Sequence, residues 1–338
     1  MRIAACLDSP TPSPNRSPNV IIDAHLHCTG DETTSDVLDA LDEADIDIGV
    51  LIAPFLHNGY TLADGAEIRR ANEHLSRLVQ RHEDRLFGFA VINPSLPGAA
   101  DELRHAVDTL GLRGAKMVPS GWYPESEVVQ PTFGVASELR LPLLFHSGVF
   151  IDGRASRFCR PIGFEPLRDH PGARVTLAHL GWPWTDEAIA LGLIDRINGV
   201  AENECAFRFD LSFGPPPPYR HDVLAKALEV LGPGLLQFGS DCFLPCPGSE
   251  IAERRGWLRD LLAEFDLDAA SLERIWSGTA AAWLGIDSGA TPSRERKGDA
   301  AGGNRRVCVD AHPSSSRHRA ARRKEGWLGA RPWSLTCC

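Results

Sequence analysis

The sequence predicts a (β/α)₈ TIM barrel, a fold of the α/β class. Two observations predict it: residues 19–286 contain eight short apolar runs, and amphipathic segments with helical periodicity separate these runs. Alternation of strands and helices is typical of a parallel sheet, and eight repeats favour a closed barrel over an open doubly wound sheet. The sequence also lacks the G-x-G-x-x-G loop that would favour the open sheet after the first run.

The apolar runs are predicted to be buried parallel strands. Strands that are covered on both faces have near-continuous apolar sequences rather than alternating ones. Residues 49–53 (Gly-Val-Leu-Ile-Ala) and 87–92 (Phe-Gly-Phe-Ala-Val-Ile) show this character most clearly. The eight predicted strands span residues 20–25, 48–53, 86–92, 113–118, 141–146, 174–179, 207–212 and 235–240.

The segments between the runs have the periodicity of helices with one buried face. Val37, Leu41 and Ala44 recur at helical spacing, as do Ile68 and Leu75 in the next segment. The predicted helices span residues 36–45, 66–83, 99–110, 131–140, 164–170, 186–197, 222–231 and 250–265.

Five polar residues stand where predicted strands end. His25 and His27 follow the first run, His146 the fifth, His179 the sixth and Asp241 the eighth. Residues i and i+2 of a strand point to the same face, so the first two imidazoles can reach one ion. The carboxyl ends of barrel strands meet at one face of the fold, which is where barrel active sites form. We therefore expect these side chains to converge.

These residues lie in motifs that, taken in this order, resemble the amidohydrolase superfamily. The resemblance covers residues 19–286 and is to the amidohydrolase-related branch that includes aminocarboxymuconate-semialdehyde decarboxylase. It rests on Asp-Ala-His-Leu-His at 23–27, Phe-His-Ser-Gly at 145–148, Leu-Ala-His-Leu-Gly at 177–181 and Phe-Gly-Ser-Asp at 238–241, with residues 277–286 resembling the closing helix of the family.

The resemblance implies a metal centre with His25, His27, His146 and Asp241 as ligands of one divalent ion. It also implies that His179, with Asp241, belongs to the catalytic residues, and that His179 is the acid/base. Such a ligand set leaves an open coordination position, as a catalytic site requires, and imidazole ligands suit zinc. A histidine outside the ligand set can take up and return a proton because its pKa is close to neutral. We therefore expect one Zn²⁺ per chain.

Lys116, in the fourth predicted strand, has two open interpretations. Some members of the superfamily carboxylate a lysine on this strand, which then bridges two metals. In the branch that this chain resembles, one metal is usual and such a lysine is not a ligand. The second interpretation, which we favour, is a lysine that pairs with a carboxylate near the site.

Three residues in loops after the strands are candidates for substrate binding. Arg157 and Arg160 follow the fifth predicted strand, and a guanidinium there can bind a carboxylate through two hydrogen bonds. Trp182 follows the sixth strand, where it can form a wall of the pocket. These residues, with Lys116, predict a small substrate that carries a carboxylate.

The predicted function is a metal-dependent hydrolase, with a metal-dependent decarboxylase of the same branch as the alternative. The ligand set does not separate the two reactions. A further alternative is a barrel that binds metal without catalysis. His179 argues against this alternative, because a structural metal site needs no free base.

Charge and composition limit the partners. Residues 290–338 carry 11 Lys and Arg against 4 Asp and Glu, so residues 1–289 carry 24 basic and 41 acidic residues. This acidic body repels polyanions and predicts no nucleic-acid partner.

Residues 1–18 are expected to be a flexible segment and residues 287–338 a disordered basic tail. No apolar run approaches the roughly 18 residues of a membrane span, and the nine cysteines show no disulfide pattern. We expect a cytoplasmic protein, and a homo-oligomer is compatible with these features.

Overall fold

A computed structural model describes residues 20–55, 59–150, 154–212 and 214–286. The predicted flexible segment 1–18 and the predicted basic tail 287–338 lie outside these residues, so both assignments stay predictions. In the described part of the chain, no helix is long and apolar enough to cross a membrane.

The described residues form a barrel of parallel strands. The strands pair in the order β8-β7-β6-β5-β4-β3-β2-β1-β9. The barrel closes between its first and last strands, because the Ala24 amide donates to the Phe238 carbonyl (3.1 Å) and the Asp241 amide donates to the His25 carbonyl (2.8 Å). This closure confirms the predicted fold class. The strands are β1 (Ile22–Cys28), β2 (Ile48–Ile52), β3 (Leu86–Val91), β4 (Gly114–Met117), β5 (Pro142–Phe145), β6 (Arg174–Leu177), β7 (Phe207–Asp210), β8 (Leu236–Gln237) and β9 (Cys242–Leu244).

The eighth predicted strand is shorter than expected, and a further short strand follows it. The prediction was one strand over residues 235–240, whereas β8 covers only Leu236–Gln237 and pairs with β7, and β9 lies beyond the predicted run and pairs with β1. Asp241 lies between them with φ of 58°, in the left-handed region that L-residues rarely adopt. The chain changes its pairing partner at this point, so β8 ends early and β9 closes the barrel. The change of direction places Asp241 at the carboxyl end of the barrel.

Most helices lie within four residues of the predicted bounds, α8 (Ala269–Glu273) was not predicted, and two segments differ more. The sixth helix begins at Pro217, five residues before the predicted start, because proline is well suited to the first turn of a helix. Residues 164–170 were predicted as an α-helix, but Pro161–Asp169 is a 3₁₀ segment that contains Pro166, which cannot donate the hydrogen bond of an α-helix interior. The helices are α1 (Thr34–Glu43), α2 (Gly65–Val79), α3 (Ala99–Asp108), α4 (Gln130–Glu138), α5 (Thr185–Ile197), α6 (Pro217–Leu231), α7 (Gly248–Leu262), α8 (Ala269–Glu273) and α9 (Thr279–Leu284).

Helix α9 covers the amino-terminal end of the barrel. The buried Trp283 indole donates to the carbonyl of Arg174, the first residue of β6 (2.8 Å). Its ring lies 5.0 Å from the ring of Phe89, which contacts the first residue of β4. With this end covered, the open end of the barrel is the one at which the strands finish.

Candidate metal centre

Two histidines of β1 and the aspartate between β8 and β9 form a compact cluster. The Nε2 atoms of His25 and His27 are 3.0 Å apart, and each lies 3.2 Å from Oδ1 of Asp241. All three side chains are buried, and their candidate ligand atoms lie within 4.8 Å of one another. These are three of the four metal ligands that the sequence resemblance implies.

The chemistry of this cluster fits a divalent cation. Ligands held 2.0–2.2 Å from a tetrahedral ion lie roughly 3.3–3.6 Å apart, close to the spacing in the cluster. Burial lowers the pKa of His27 to about 3, so its imidazole is neutral and can coordinate. Burial opposes the ionisation of Asp241, but the neighbouring His25 and His27 hold the pKa of this carboxyl well below its usual range. The site therefore provides a neutral imidazole from His27 and an anionic oxygen from Asp241, beside the second imidazole of His25.

The orientation of His25 is fixed by Asp210, at the end of β7. Nδ1 of His25 donates to Oδ2 of Asp210 (2.7 Å), which directs the lone pair of Nε2 towards the cluster. Oδ1 of Asp210 accepts hydrogen bonds from the amides of His179 (3.2 Å) and Ser212 (2.6 Å). The sequence analysis did not single out Asp210, although it stands near the end of a predicted strand in the same way as the other candidates.

We expect Asp210→Asn to weaken metal binding by about 10–100-fold, because groups that orient a ligating histidine contribute to metal affinity in this range. Titration of the metal-free protein with Zn²⁺, followed by calorimetry, measures the change. Asp47→Asn is the matched control, since Asp47 is also buried and accepts from a backbone amide (Ile21, 2.8 Å) but precedes β2 at the other end of the barrel. Equal zinc affinities in the two variants would contradict the role of Asp210.

Close packing along β1 holds His25 in place. A Cβ atom added to Gly239 would lie 2.7 Å from Cβ of His25, so only glycine fits beside this histidine. Asp23, two residues before His25, accepts from the amide of Ser240 (2.9 Å), and burial raises its pKa to about 6. The close contacts between β1 and the residues after β8 therefore set the position of His25.

Lys116 extends from β4 into the same cluster. Its Nζ atom donates to Nε2 of His25 over 2.9 Å, and the side chain is almost completely buried. A metal ion held by His25 would use the same Nε2 atom, and Lys116 would then need another partner. Both interpretations of Lys116 require its position at the centre, and the choice between them stays a prediction.

His179, the predicted acid/base, is also buried beside the cluster. Its ring centroid lies 5.5 Å from that of His25 and 5.0 Å from that of His146. Nδ1 of His179 donates to the carbonyl of Ser212 (3.2 Å), so in the neutral ring the lone pair is on Nε2. Burial lowers the pKa of His179, which favours this neutral form. Its backbone is left-handed (φ 60°), as is that of Asp241 (φ 58°), and this conformation is uncommon for residues other than glycine.

His146, the fourth predicted ligand, is adjacent to the three-residue cluster but is not part of it. Its Nε2 atom donates to the carbonyl of Val149 (3.2 Å), so only Nδ1 has a lone pair in this arrangement. Burial holds the pKa of His146 well below its usual range, so the ring is neutral. Coordination by His146 therefore stays a prediction, and it requires either Nδ1 or loss of the bond to Val149.

For His146 we predict that replacement by alanine lowers the metal content of the purified protein, because a ligand is removed. Elemental analysis of the variant and the unmodified protein, equilibrated with the same metal buffer, provides the measurement. The control is His170→Ala, because His170 is half-buried against Gln130 at a distance from the centre. An unchanged metal content in His146→Ala would make His146 a pocket residue rather than a ligand.

Aromatic side chains surround the histidines at the mouth of the barrel. Phe243 stacks on His27 (4.6 Å between ring centroids), and Phe55 lies on another side of the same ring (5.5 Å). Phe150 meets His146 edge-on (4.9 Å), and Tyr60 lies between Phe55 and Phe150 (4.9 and 5.1 Å). These four residues form what we call the aromatic wall. It was not predicted from the sequence, because its residues come from three separate parts of the chain and Phe243 belongs to β9.

The loop candidates for substrate binding lie further from the centre. The guanidinium of Arg157 stands over the ring of Phe158 (4.7 Å), which packs in the same apolar cluster as Phe150. The guanidinium of Arg160 is paired with Glu187, and Trp182 is half-buried with its ring 6.2 Å from Tyr219. Arg157 thus stands next to the aromatic wall, and the substrate-binding roles of all three stay predictions.

Comparison with known proteins agrees with this geometry. The sequence profile of the amidohydrolase family matches residues 22–286, which is most of the chain and includes every residue of the cluster. The chain belongs to the amidohydrolase family. No curated protein sequence matches the chain.

Solved structures with the same fold are distant in sequence. A 5-carboxyvanillate decarboxylase from Novosphingobium aromaticivorans, complexed with manganese and 4-hydroxy-3-methoxy-5-nitrobenzoic acid, is 16% identical (TM-score 0.58; 79% of this chain, 96% of that chain). A probable 2-pyrone-4,6-dicarboxylic acid hydrolase from Acinetobacter baumannii, with citric acid bound, is 15% identical (TM-score 0.56; 79% and 99%). An amidohydrolase from Burkholderia multivorans with bound zinc is 15% identical (TM-score 0.58; 79% and 100%). At these identities the likeness establishes the fold of this amidohydrolase, but not its reaction.

Proposed function

We propose that this amidohydrolase is a metal-dependent hydrolase that acts on a small planar carboxylate. The observation that carries the proposal is the buried cluster of His25, His27 and Asp241 beside a histidine whose Nε2 lone pair is available. A structural metal site has a closed ligand shell and needs no such base. The arrangement therefore supports catalysis rather than metal storage.

The residues of the cluster and their neighbours have different roles in the proposed hydrolysis. His25, His27 and Asp241 would hold a divalent ion, which would supply a water of lowered pKa and a Lewis acid for the substrate carbonyl. His179 accepts the proton of the attacking water at Nε2 and returns it to the leaving group, while Ser212 holds Nδ1. The Asp210 carboxylate accepts hydrogen bonds from Nδ1 of His25 and from the amide of His179. It therefore orients a metal ligand and the base relative to each other. We propose zinc as the ion because imidazole ligands suit it.

The substrate class is inferred from the groups around the cluster. The aromatic wall offers ring faces on which a planar molecule can stack. Lys116 supplies a buried positive charge at the centre, and Arg157 supplies a second one at the edge of the wall. A planar ring with one or more carboxylate groups matches both features.

Decarboxylation is the second candidate. It is favoured by the likeness to a decarboxylase that holds manganese and a substituted benzoic acid, while the likeness to a probable dicarboxylic acid hydrolase favours hydrolysis. In decarboxylation, His179 would have to deliver a proton to carbon. Its Nε2 would then have to be protonated at the start of the reaction, whereas burial favours the neutral ring.

We expect Arg157→Gln to raise KM for a carboxylate substrate by roughly 10-fold or more with little change in kcat, because a charge-assisted hydrogen bond to the substrate is lost. Arg104→Gln is the control: Arg104 is on α3, is not a site candidate, and its guanidinium is paired with Glu138. Steady-state kinetics of both variants make the comparison. An equal KM in Arg157→Gln and the unmodified protein would remove Arg157 from the binding site.

The proposed reaction is tested by screening the protein, loaded with Zn²⁺ or with Mn²⁺, against lactones, esters and amides of aromatic acids and against hydroxybenzoates. Hydrolysis is followed by acid release and decarboxylation by CO₂ release. Turnover of a lactone, ester or amide that is lost on chelation supports the proposal. Turnover confined to the hydroxybenzoates with CO₂ release would replace hydrolysis by decarboxylation.

A further inference from the structure

Two cysteines lie side by side just after the aspartate of the cluster. Cys242 is the first residue of β9 and follows Asp241 directly, and Cys246 lies four residues further along the chain. The chain bends at Pro245, between the two cysteines. Their side chains are hydrogen-bonded to each other, so the bend brings the two thiols together.

This contact between two thiols differs from the contacts of two other buried cysteines. Sγ of Cys159 donates to the carbonyl of Pro119 (3.3 Å), and Sγ of Cys205 donates to the carbonyl of Ala201 (3.5 Å). A carbonyl oxygen satisfies a thiol but cannot form a covalent bond with its sulfur by oxidation. In the pair after the cluster, each sulfur instead faces another sulfur.

The two thiols of the pair differ in their access to solvent. Cys242 is 1% exposed, whereas Cys246 is partly exposed and lies between the exposed residues Pro245 and Pro247. A thiol reagent in solution can therefore reach Cys246 but not Cys242. An accessible cysteine beside a second, resolving cysteine is the usual arrangement in proteins that are oxidised reversibly.

The segment that contains the pair adjoins the metal centre. Asp241 precedes it, and the amide of Cys242 donates to Oγ of Ser240 (3.3 Å). Phe243, between the two cysteines, stacks on His27 with 4.6 Å between the ring centroids. A covalent bond between the two sulfurs would thus close a ring of residues that includes one member of the aromatic wall.

We propose that Cys242 and Cys246 are a modification site that forms a reversible disulfide with a small-molecule disulfide such as glutathione disulfide as the oxidant. The juxtaposed thiols and their unequal exposure carry this proposal. The site goes beyond the proposed reaction, and its test needs no turnover.

The exchange proceeds in two steps. The thiolate of Cys246 attacks one sulfur of glutathione disulfide, which breaks the sulfur–sulfur bond, releases one glutathione and leaves the other bound to Cys246. The sulfur of Cys242 then attacks the sulfur of Cys246 and releases the second glutathione. The two protein thiols lose two protons and two electrons, and glutathione disulfide gains them as two thiols. Excess glutathione reverses both steps.

The test is peptide mapping of the full-length protein, loaded with one equivalent of Zn²⁺ and incubated with glutathione disulfide. The reaction is stopped with acid, free thiols are alkylated under denaturing conditions, and the protein is digested with trypsin for mass spectrometry. The tryptic peptide 227–254 contains Cys242 and Cys246 as its only cysteines, and the peptide 197–208 contains only Cys205. The second peptide is the internal control, because Cys205 is also buried.

We expect the peptide 227–254 to be recovered without alkylation and about 2 Da lighter than the reduced peptide, because two thiol hydrogens are lost. Treatment with dithiothreitol before alkylation should restore both thiols. The peptide 197–208 should be alkylated throughout. Full alkylation of the peptide 227–254 after oxidation would overturn the proposal, as would glutathione that stays on Cys246, which adds about 305 Da.

Two substitutions test the order of the steps. Cys242→Ser should keep glutathione on Cys246, because the resolving thiol is absent. Cys246→Ser should leave the peptide 227–254 free of glutathione, because the thiol of Cys242 is buried. Glutathione on Cys242 in this variant, to the extent seen on Cys246 in the other, would overturn the assignment of Cys246 as the attacking thiol. Thermal unfolding followed by circular dichroism confirms that the variants are folded.

Discussion

Asp241→Asn is expected to abolish metal binding and activity together. Asp241 is the only anionic member of the cluster, and its Oδ1 atom lies 3.2 Å from both histidine nitrogens. An amide of the same shape provides a neutral oxygen or a nitrogen that already carries hydrogens, so the ion loses the ligand that offsets its charge. The loss should exceed the roughly 10–100-fold expected when only an orienting group is removed.

The measurement is metal content by elemental analysis beside turnover of the substrate that the screen identifies. Asp260→Asn is the matched control, because Asp260 is an exposed residue of α7 that is bonded to Arg259. Asparagine also tolerates the left-handed backbone at position 241, so the variant should fold. Full metal content in Asp241→Asn would contradict its assignment as a ligand.

His179→Asn should retain its metal but lose turnover, unlike Asp241→Asn. We expect a loss of about 10²–10⁴-fold, the usual contribution of a general acid/base. Asparagine is preferred to alanine because the backbone of His179 has φ of 60°, which asparagine adopts more readily. Nε2 of His179 has the lone pair that hydrolysis needs, and no other part of the proposed mechanism supplies it.

Metal content and kcat are measured on the same preparation of His179→Asn. Ser277→Ala is a suitable control, because Ser277 is buried on the closing helical segment and donates to the carbonyl of Glu273, away from the cluster. Unchanged turnover in His179→Asn would remove its acid/base role. Loss of metal would instead make His179 a ligand, and would require a different centre in which Lys116 has a larger role.

The sequence was sufficient to predict the barrel and the three residues of the cluster because both depend on local patterns. Apolar runs mark buried strands, and polar residues that end such runs meet at one face of a barrel. His25, His27 and Asp241 could be found in this way although more than 200 positions separate the histidines from the aspartate.

Other features depend on contacts that no local pattern encodes. Asp210 ends a strand as the predicted candidates do. Its role, however, depends on the hydrogen bond that it accepts from Nδ1 of His25 across the barrel. The early end of β8 and the separate strand β9 after Asp241 follow from the change of pairing partner from β7 to β1. His146 was predicted from its motif, yet the carbonyl of Val149 competes for its Nε2 atom. The aromatic wall joins residues that are distant in sequence, so it appears only in three dimensions.

The most direct test of the metal centre is anomalous diffraction from crystals of the protein loaded with zinc, recorded on both sides of the zinc absorption edge. We expect one anomalous peak per chain, about 2.0–2.2 Å from Nε2 of His25, Nε2 of His27 and a carboxylate oxygen of Asp241. A peak at another place in the chain, or no peak at these three residues in zinc-saturated crystals, would contradict the account.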